Sequence, residues 1–229
     1  MQRPTVYIAA GLFEGADLEY NERLAEKVGA FAGTILPQRD GFESSRLHEL
    51  LIREGFDFPE NENVANRMIY LLDKGWFIGA KSSAVLARLD GLSFDPGVVS
   101  EIGIARELGI PVFSFRTDVR SPYGSGENEA GGAHFFPVYD SDFFRKFSGD
   151  VELGTVVDWF SKGLDSLSGD VRTNHTGSKR TQNVLASARL LFGNSGDIHS
   201  VEGLANVIRR YNLNKSVINS CFPNFEIVV

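Results

Sequence analysis

Short apolar runs of strand-forming residues alternate with stretches of helical periodicity, and this alternation limits the fold more than any other feature of the sequence. Thr5 to Ala10 (TVYIAA) is an apolar run that stops at Gly11, and Leu18 to Phe31 then repeats Leu24, Val28 and Phe31 at helical spacing. Thr34 to Pro37 reads as a second strand. Ser44 to Glu54 and Asn61 to Lys74 read as helices separated by Phe58-Pro59. Ala84 to Leu89 is a third strand, Val98 to Leu108 a helix ended by Gly109, and Pro111 to Phe115 a fourth strand, with Phe136 to Tyr139 as a short fifth. Nearly all-apolar strands joined by helices indicate a parallel sheet, because each parallel connection needs a crossover and both sheet faces are then covered. The expected class is α/β, doubly wound, with helices on both faces of a parallel sheet. In such sheets ligands sit beyond the carboxyl ends of the strands, which singles out the loops after Ala10, Pro37, Leu89 and Phe115.

From Val151 the character changes to helix alone: Val151 to Leu167, Gln182 to Phe192 and Val201 to Tyr211 are amphipathic, and Gly169 to Thr181 is polar and strand-free. This gives an α/β domain over residues 1–150 and a helical C-terminal extension over 151–229. Gly124 to Gly132 (GSGENEAGG) is a polar, glycine-rich loop, suited to covering a site or to an inert surface excursion.

Composition removes several classes of partner. Of 229 residues, 42% are hydrophobic and 23% charged, the balance of an ordinary globular domain. A net charge of −7 offers no electrostatic footprint for nucleic acid or an anionic membrane, and no apolar run approaches the roughly 20 residues that span a bilayer. Cys221 stands alone and no signal-peptide pattern opens the chain, so a cytoplasmic protein is expected.

Common chemistries are also thinned out. His48, His134, His175 and His199 show no paired metal-ligand spacing, so no metal is expected. GxxxxGK[ST], GxGxxG and GxSxG are all absent. What remains is carboxylates: Asp90 and Asp95 in the loop after the third strand, and Glu101 six residues after Asp95, read as lying in the first turn of the next helix. Two carboxyl groups in different environments can attack a sugar carbon and protonate its leaving group. The same acids also suit helix starts and turns with no chemistry at all.

The string Leu89-Asp90-Gly91-Leu92-Ser93-Phe94-Asp95-Pro96-Gly97-Val98-Val99-Ser100-Glu101-Ile102-Gly103-Ile104-Ala105, continued by Gly109-Ile110-Pro111-Val112, resembles the LDG…D-x-G-x-x-x-E-[IL]-G-x-A…G-x-P-V pattern of nucleoside 2-deoxyribosyltransferases. Val6 to Phe13 is similar to that family's opening strand and substrate loop, Leu36-Pro37-Gln38 falls where its second strand ends, and Asp118-Val119-Arg120 has a counterpart in many members. The resemblance covers about residues 5–145. It implies a flavodoxin-like fold, with Glu101 as nucleophile, Asp95 as the carboxyl group that helps protonate the departing base, and Tyr7 as the hydroxyl holding Glu101. It further implies Phe13 as a wall for the base, and Gln38, Asp73, Asp90, Gly97 and Asn128 as substrate-binding positions, Asn128 crossing a subunit interface of a homo-oligomer. Without the resemblance Tyr7 reads as a core aromatic, Phe13 as a hydrophobic plug and Asn128 as a turn residue.

The implied reaction exchanges the base of a 2′-deoxynucleoside for a free purine or pyrimidine base, with retention at C1′ through a deoxyribosyl ester on Glu101 and with no cofactor. Glu14 in the loop after the first strand repels a phosphate, which favours nucleosides over nucleotides. An N-glycosidase on the same site, with water taking the ester, and a non-catalytic nucleoside-sensing module are the rival readings.

Overall fold

The computed structural model describes residues 3–12, 14–147, 149–167, 177–194 and 196–222. Its elements in chain order are β1 (Thr5–Ala9), α1 (Gly15–Val28), β2 (Gly33–Ile35), α2 (Pro37–Asp40), α3 (Ser44–Arg53), α4 (Glu60–Tyr70), a π-helix (Leu71–Lys81), β3 (Ala84–Arg88), α5 (Pro96–Glu107), β4 (Val112–Arg116), α6 (Phe135–Tyr139), β5 (Phe143–Lys146), α7 (Leu153–Ser166), α8 (Lys179–Phe192), α9 (Val201–Leu213) and α10 (Lys215–Asn219). The five strands form one sheet in the order β2-β1-β3-β4-β5, and every pairing is parallel. This is the doubly wound α/β class expected from the alternation.

Strand periodicity sorts the side chains to the two faces. Val6 and Ile8 of β1, Ala84 and Leu86 of β3, and Phe113 and Phe115 of β4 face one way, onto Leu24, Ala25 and Val28 of α1 and Val156, Val157 and Phe160 of α7. The intervening Tyr7 reaches α5, on the other face. The strand order reverses between β1 and β3, where the crossovers depart to opposite faces and the loops leave a crevice.

Two expected elements differ. Phe136 to Tyr139 is not a strand: Phe135–Tyr139 is the short helix α6, and the fifth strand follows at Phe143–Lys146. Pro137 lies in the first turn of α6, where its missing N–H is not required, and His134 Nδ1 caps the turn by accepting from the Phe136 amide at 3.3 Å. The true strand, FFRK, stacks Phe143 on Phe113 at a centroid distance of 4.5 Å and carries Arg145 and Lys146 on the sheet's edge, where charge discourages further strand pairing. Pro37 does not end a strand; it opens α2. Met1, Gln2, Phe13, Ser148, Ser195, residues 168–176, which include His175 and most of the polar stretch, and residues 223–229 lie outside the described residues.

Contacts divide the chain into two compact units, Met1–Asp40 with Phe77–Thr176, and Gly41–Trp76 with Gly177–Val229. The division does not follow a single boundary after residue 150. Helix α7 belongs with the sheet, because Val156 and Phe160 are wholly buried and the Phe160 ring meets Phe113 edge-on at 5.0 Å. Each such side chain contributes about 1.5–3 kcal/mol by leaving water, so removing α7 would uncover Phe113 on the face that α7 shares with α1. The second unit joins α3 and α4 to α8–α10 around Leu47, Leu51, Met68, Leu191 and Ile208, all fully buried. Within it Tyr211 donates to Asn219 Oδ1 at 2.8 Å, and Arg67 donates to the same oxygen at 2.7 Å. Among the described residues no helix is long and apolar enough to cross a membrane.

Candidate active site

A cleft of about 670 Å³ opens at the carboxyl ends of β1, β3 and β4. It is lined by Gly11 and Glu14 of the β1–α1 connection and Asp17 in the first turn of α1, by Arg88 at the end of β3, Asp90 to Asp95 of the loop that follows and Pro96 at the start of α5, and by Thr117, Asp118 and Arg120 of the loop after β4. All belong to the first unit.

Helix α5 is built from its cap inward. Asp95 is the N-cap, with Oδ1 accepting from the amides of Gly97 at 2.7 Å and Val98 at 3.1 Å, and Pro96 follows at the first helical position, where its fixed φ is already helical. The helix thus starts two residues before Val98, the start that periodicity suggested. Glu101 is therefore in the second turn, not the first, and the partial positive charge of the helix amino terminus acts chiefly on Asp95. Glu101 is held by another group: Tyr7, fully buried on β1, donates its hydroxyl to Glu101 Oε1 at 2.7 Å, and the carboxylate itself is half-buried. This bond joins β1 to the helix that follows β3, at the point where the strand order reverses.

Asp90 is engaged entirely by protein. Its Oδ1 accepts from the Thr117 amide at 2.6 Å and the Asp118 amide at 2.9 Å; its Oδ2 accepts from Thr117 Oγ1 and Arg88 Nε, both at 2.7 Å. Arg88 also donates to Asp17 at 2.9 Å and lies 4.1 Å over the Tyr20 ring, whose hydroxyl is pushed up to about 12 mainly by burial.

The remaining expected site residues are dispersed. Gln38 donates to Leu18 O and Glu22 Oε1, each at 3.0 Å, and accepts from Asn21, so it ties α2 to α1. Asn128 is exposed, and its Oδ1 accepts from the Gly132 amide at 3.0 Å, stapling the glycine-rich loop. Gly97 is exposed and supplies its amide to the cap. Asp73 lies in the π-helix and in the second unit.

Arg88, Arg116, Thr117 and Asp118 were not singled out as site residues from the sequence. A signal for them exists, since Arg88 and Arg116 each put a charge at the end of a strand that is otherwise uncharged. Asp118 is held far below the usual carboxylate range, chiefly by the Arg120 guanidinium, with the Arg120 and Gly91 amides and the Arg116 charge adding to the effect. The unfolded carboxyl titrates near pH 4, about its model-peptide value, so this stabilisation is complete above that pH and disappears as pH falls toward the folded value. Asp118→Asn is accordingly expected to lower the melting temperature near neutral pH, with a gap from wild type that narrows below about pH 4. A gap of constant size between pH 7 and 3 would contradict the assignment.

The sequence model of nucleoside 2-deoxyribosyltransferases matches residues 6–166. Among solved structures, a conserved protein from Enterococcus faecalis V583 is 24% identical, covering 71% of this chain and 100% of that one at a TM-score of 0.47. The 2-deoxyribosyltransferase of Bacillus psychrosaccharolyticus is 17% identical, covering 66% of this chain and 95% of that one at a TM-score of 0.36. No match was found among curated proteins. The family model spans well over half the chain, including β1 with Tyr7, the β3–α5 loop with Asp95 and the helix that carries Glu101, and the chain belongs to the nucleoside 2-deoxyribosyltransferase family.

Proposed function

We propose that the protein exchanges the base of 2′-deoxynucleosides by double displacement at C1′. The reading rests on the 2.7 Å bond from the buried Tyr7 hydroxyl to Glu101, which orients a half-buried carboxylate at the topological switch point. Glu101 attacks C1′, the glycosidic bond breaks with its electrons going to the base, and Asp95, whose Oδ2 takes no part in the cap, delivers the proton. A second base then attacks C1′ of the deoxyribosyl ester from the vacated side, its N–H proton passing to the Asp95 carboxylate as the C1′–O bond breaks and its electrons return to Glu101, so configuration is retained. Two displacements replace one difficult step, and no cofactor enters.

The cleft favours a neutral ligand. Arg88 is shared by Asp17 and Asp90, and Arg120 pairs with Asp118, so Glu14, Asp17, Asp90 and Asp118 outweigh the two guanidiniums of the lining even with Asp95 carrying its proton, and the acidic surplus repels a phosphate. Phe135, Phe136 and Tyr139 of α6 are exposed aromatics in the unit that carries Asn128, a surface suited to self-association in a homo-oligomer.

Incubation with a deoxynucleoside and a different free base, followed by separation of products, tests the reading: a new deoxynucleoside is expected. Release of base and free deoxyribose alone would make the protein a hydrolase, and stoichiometric binding without turnover would make it a sensor. In the same assay 2′-deoxynucleosides should exceed ribonucleosides in kcat/KM by about a hundredfold, since a 2′-hydroxyl crowds the carboxylate, can hydrogen-bond it, and opposes positive charge at C1′. Equal values for deoxyadenosine and adenosine would overturn the deoxyribosyl assignment.

A further inference from the structure

The two loops that line the cleft from β3 and β4 are tied to each other in both directions. Asp90, in the first, takes the Thr117 and Asp118 amides and the Thr117 hydroxyl of the second. Asp118, in the second, accepts from the Gly91 amide of the first at 3.0 Å. Beneath them the fully buried Arg116 donates to the carbonyls of Leu89 and Gly91 on one side and to Arg120 O, at 2.8 Å, on the other. Gly91 makes the crossing with φ of +105°, a conformation in which an added Cβ would also press on Ser93 O at 3.0 Å. Residues 89–91 are thereby pinned from three directions, and only Leu92, Ser93 and Phe94 separate them from Asp95. A buried guanidinium bonded to carbonyls and a carboxylate filled by four donors form a rigid arrangement, because releasing any one partner strands a desolvated polar group.

We infer that Asp90 is a positioning residue, the centre of a latch between these loops that holds Asp95 over the cleft, and not a contact to substrate. The inference rests on the role given to Asp95 in the exchange reading. If it acts this way, its loss should reproduce the loss of Asp95: leaving-group protonation suffers and substrate affinity does not.

The test compares Asp90→Asn, Asp95→Asn and the double variant on two deoxynucleosides, one with a poor leaving base and one with an activated base, beside amide hydrogen exchange at Gly91, Thr117 and Asp118. Asp90→Asn should speed exchange at these three amides. On the poor leaving group it should lower kcat by about tenfold or more with KM changed less than about twofold. In the Asp95→Asn background the same substitution should cost less than about twofold, the mark of two residues acting as one unit. Thr117→Val, which removes one donor at constant size, should shift the same readouts in the same direction by less. A KM raised with kcat retained, losses that multiply in the double variant, or unchanged amide protection would each overturn the proposal. If Asp95→Asn alone showed no leaving-group dependence, the exchange reading would fail instead, and amide exchange would still decide whether the latch exists.

Discussion

Replacing Glu101 with alanine is expected to reduce base exchange by on the order of 10⁴-fold or more, because removing a nucleophile deletes the covalent route itself. The fold should survive. Glu101 lies in the interior of α5, where alanine is the best helix former, and the loss of an acceptor for Tyr7 costs on the order of 1–3 kcal/mol against a typical domain stability of about 5–15 kcal/mol. Glu101→Gln keeps an oxygen to accept from Tyr7, so it isolates the nucleophile's charge from its structural bond and should be nearly as inactive. Acid-quenched wild type incubated with a deoxynucleoside should carry a deoxyribosyl mass on the peptide containing Glu101. A folded alanine variant with appreciable exchange, or an adduct on another residue, would refute the assignment.

The second large effect is expected at Asp95, where structure and chemistry can be separated. Asparagine is as good an N-cap as aspartate, and its carbonyl oxygen can still accept from the Gly97 and Val98 amides, so Asp95→Asn should leave α5 and the melting temperature nearly unchanged. Its amide has no proton to give a departing base. Exchange should therefore slow by about 10²–10⁴-fold for bases that leave reluctantly and far less for activated ones. The measurement is kcat/KM across a series of bases of graded basicity, with a steeper dependence in the variant than in wild type. An equal loss across the series would reduce Asp95 to a helix cap.

Legibility from sequence was uneven in ways that follow from range. The alternation of TVYIAA, AVLARL and PVFSF with helical stretches was enough to state the α/β class, since parallel strands buried on both faces must be apolar throughout. The β3–α5 string carried the family resemblance because its residues are contiguous. The fifth strand was misplaced, because FFPVY looks apolar and β-rich while FFRK looks polar; the first is turned into a helix by its proline and cap, and the second becomes a strand only because β4 offers an open edge with Phe113 for Phe143 to stack on.

Local order thus determined the first four strands and the identity of the carboxylates, because these depend on neighbours within a few positions. Tertiary structure decided which distant groups meet. The Tyr7 hydroxyl finds Glu101 across 94 positions of chain, and Asp90 finds the Thr117 and Asp118 amides 27 and 28 positions away. It also decided that α3 and α4 join α8–α10 in one unit while α7 joins the sheet. Apolar periodicity says that a helix has a face to bury, but the partner that buries it is chosen by shape and by closure of the whole chain, and no local pattern contains that choice.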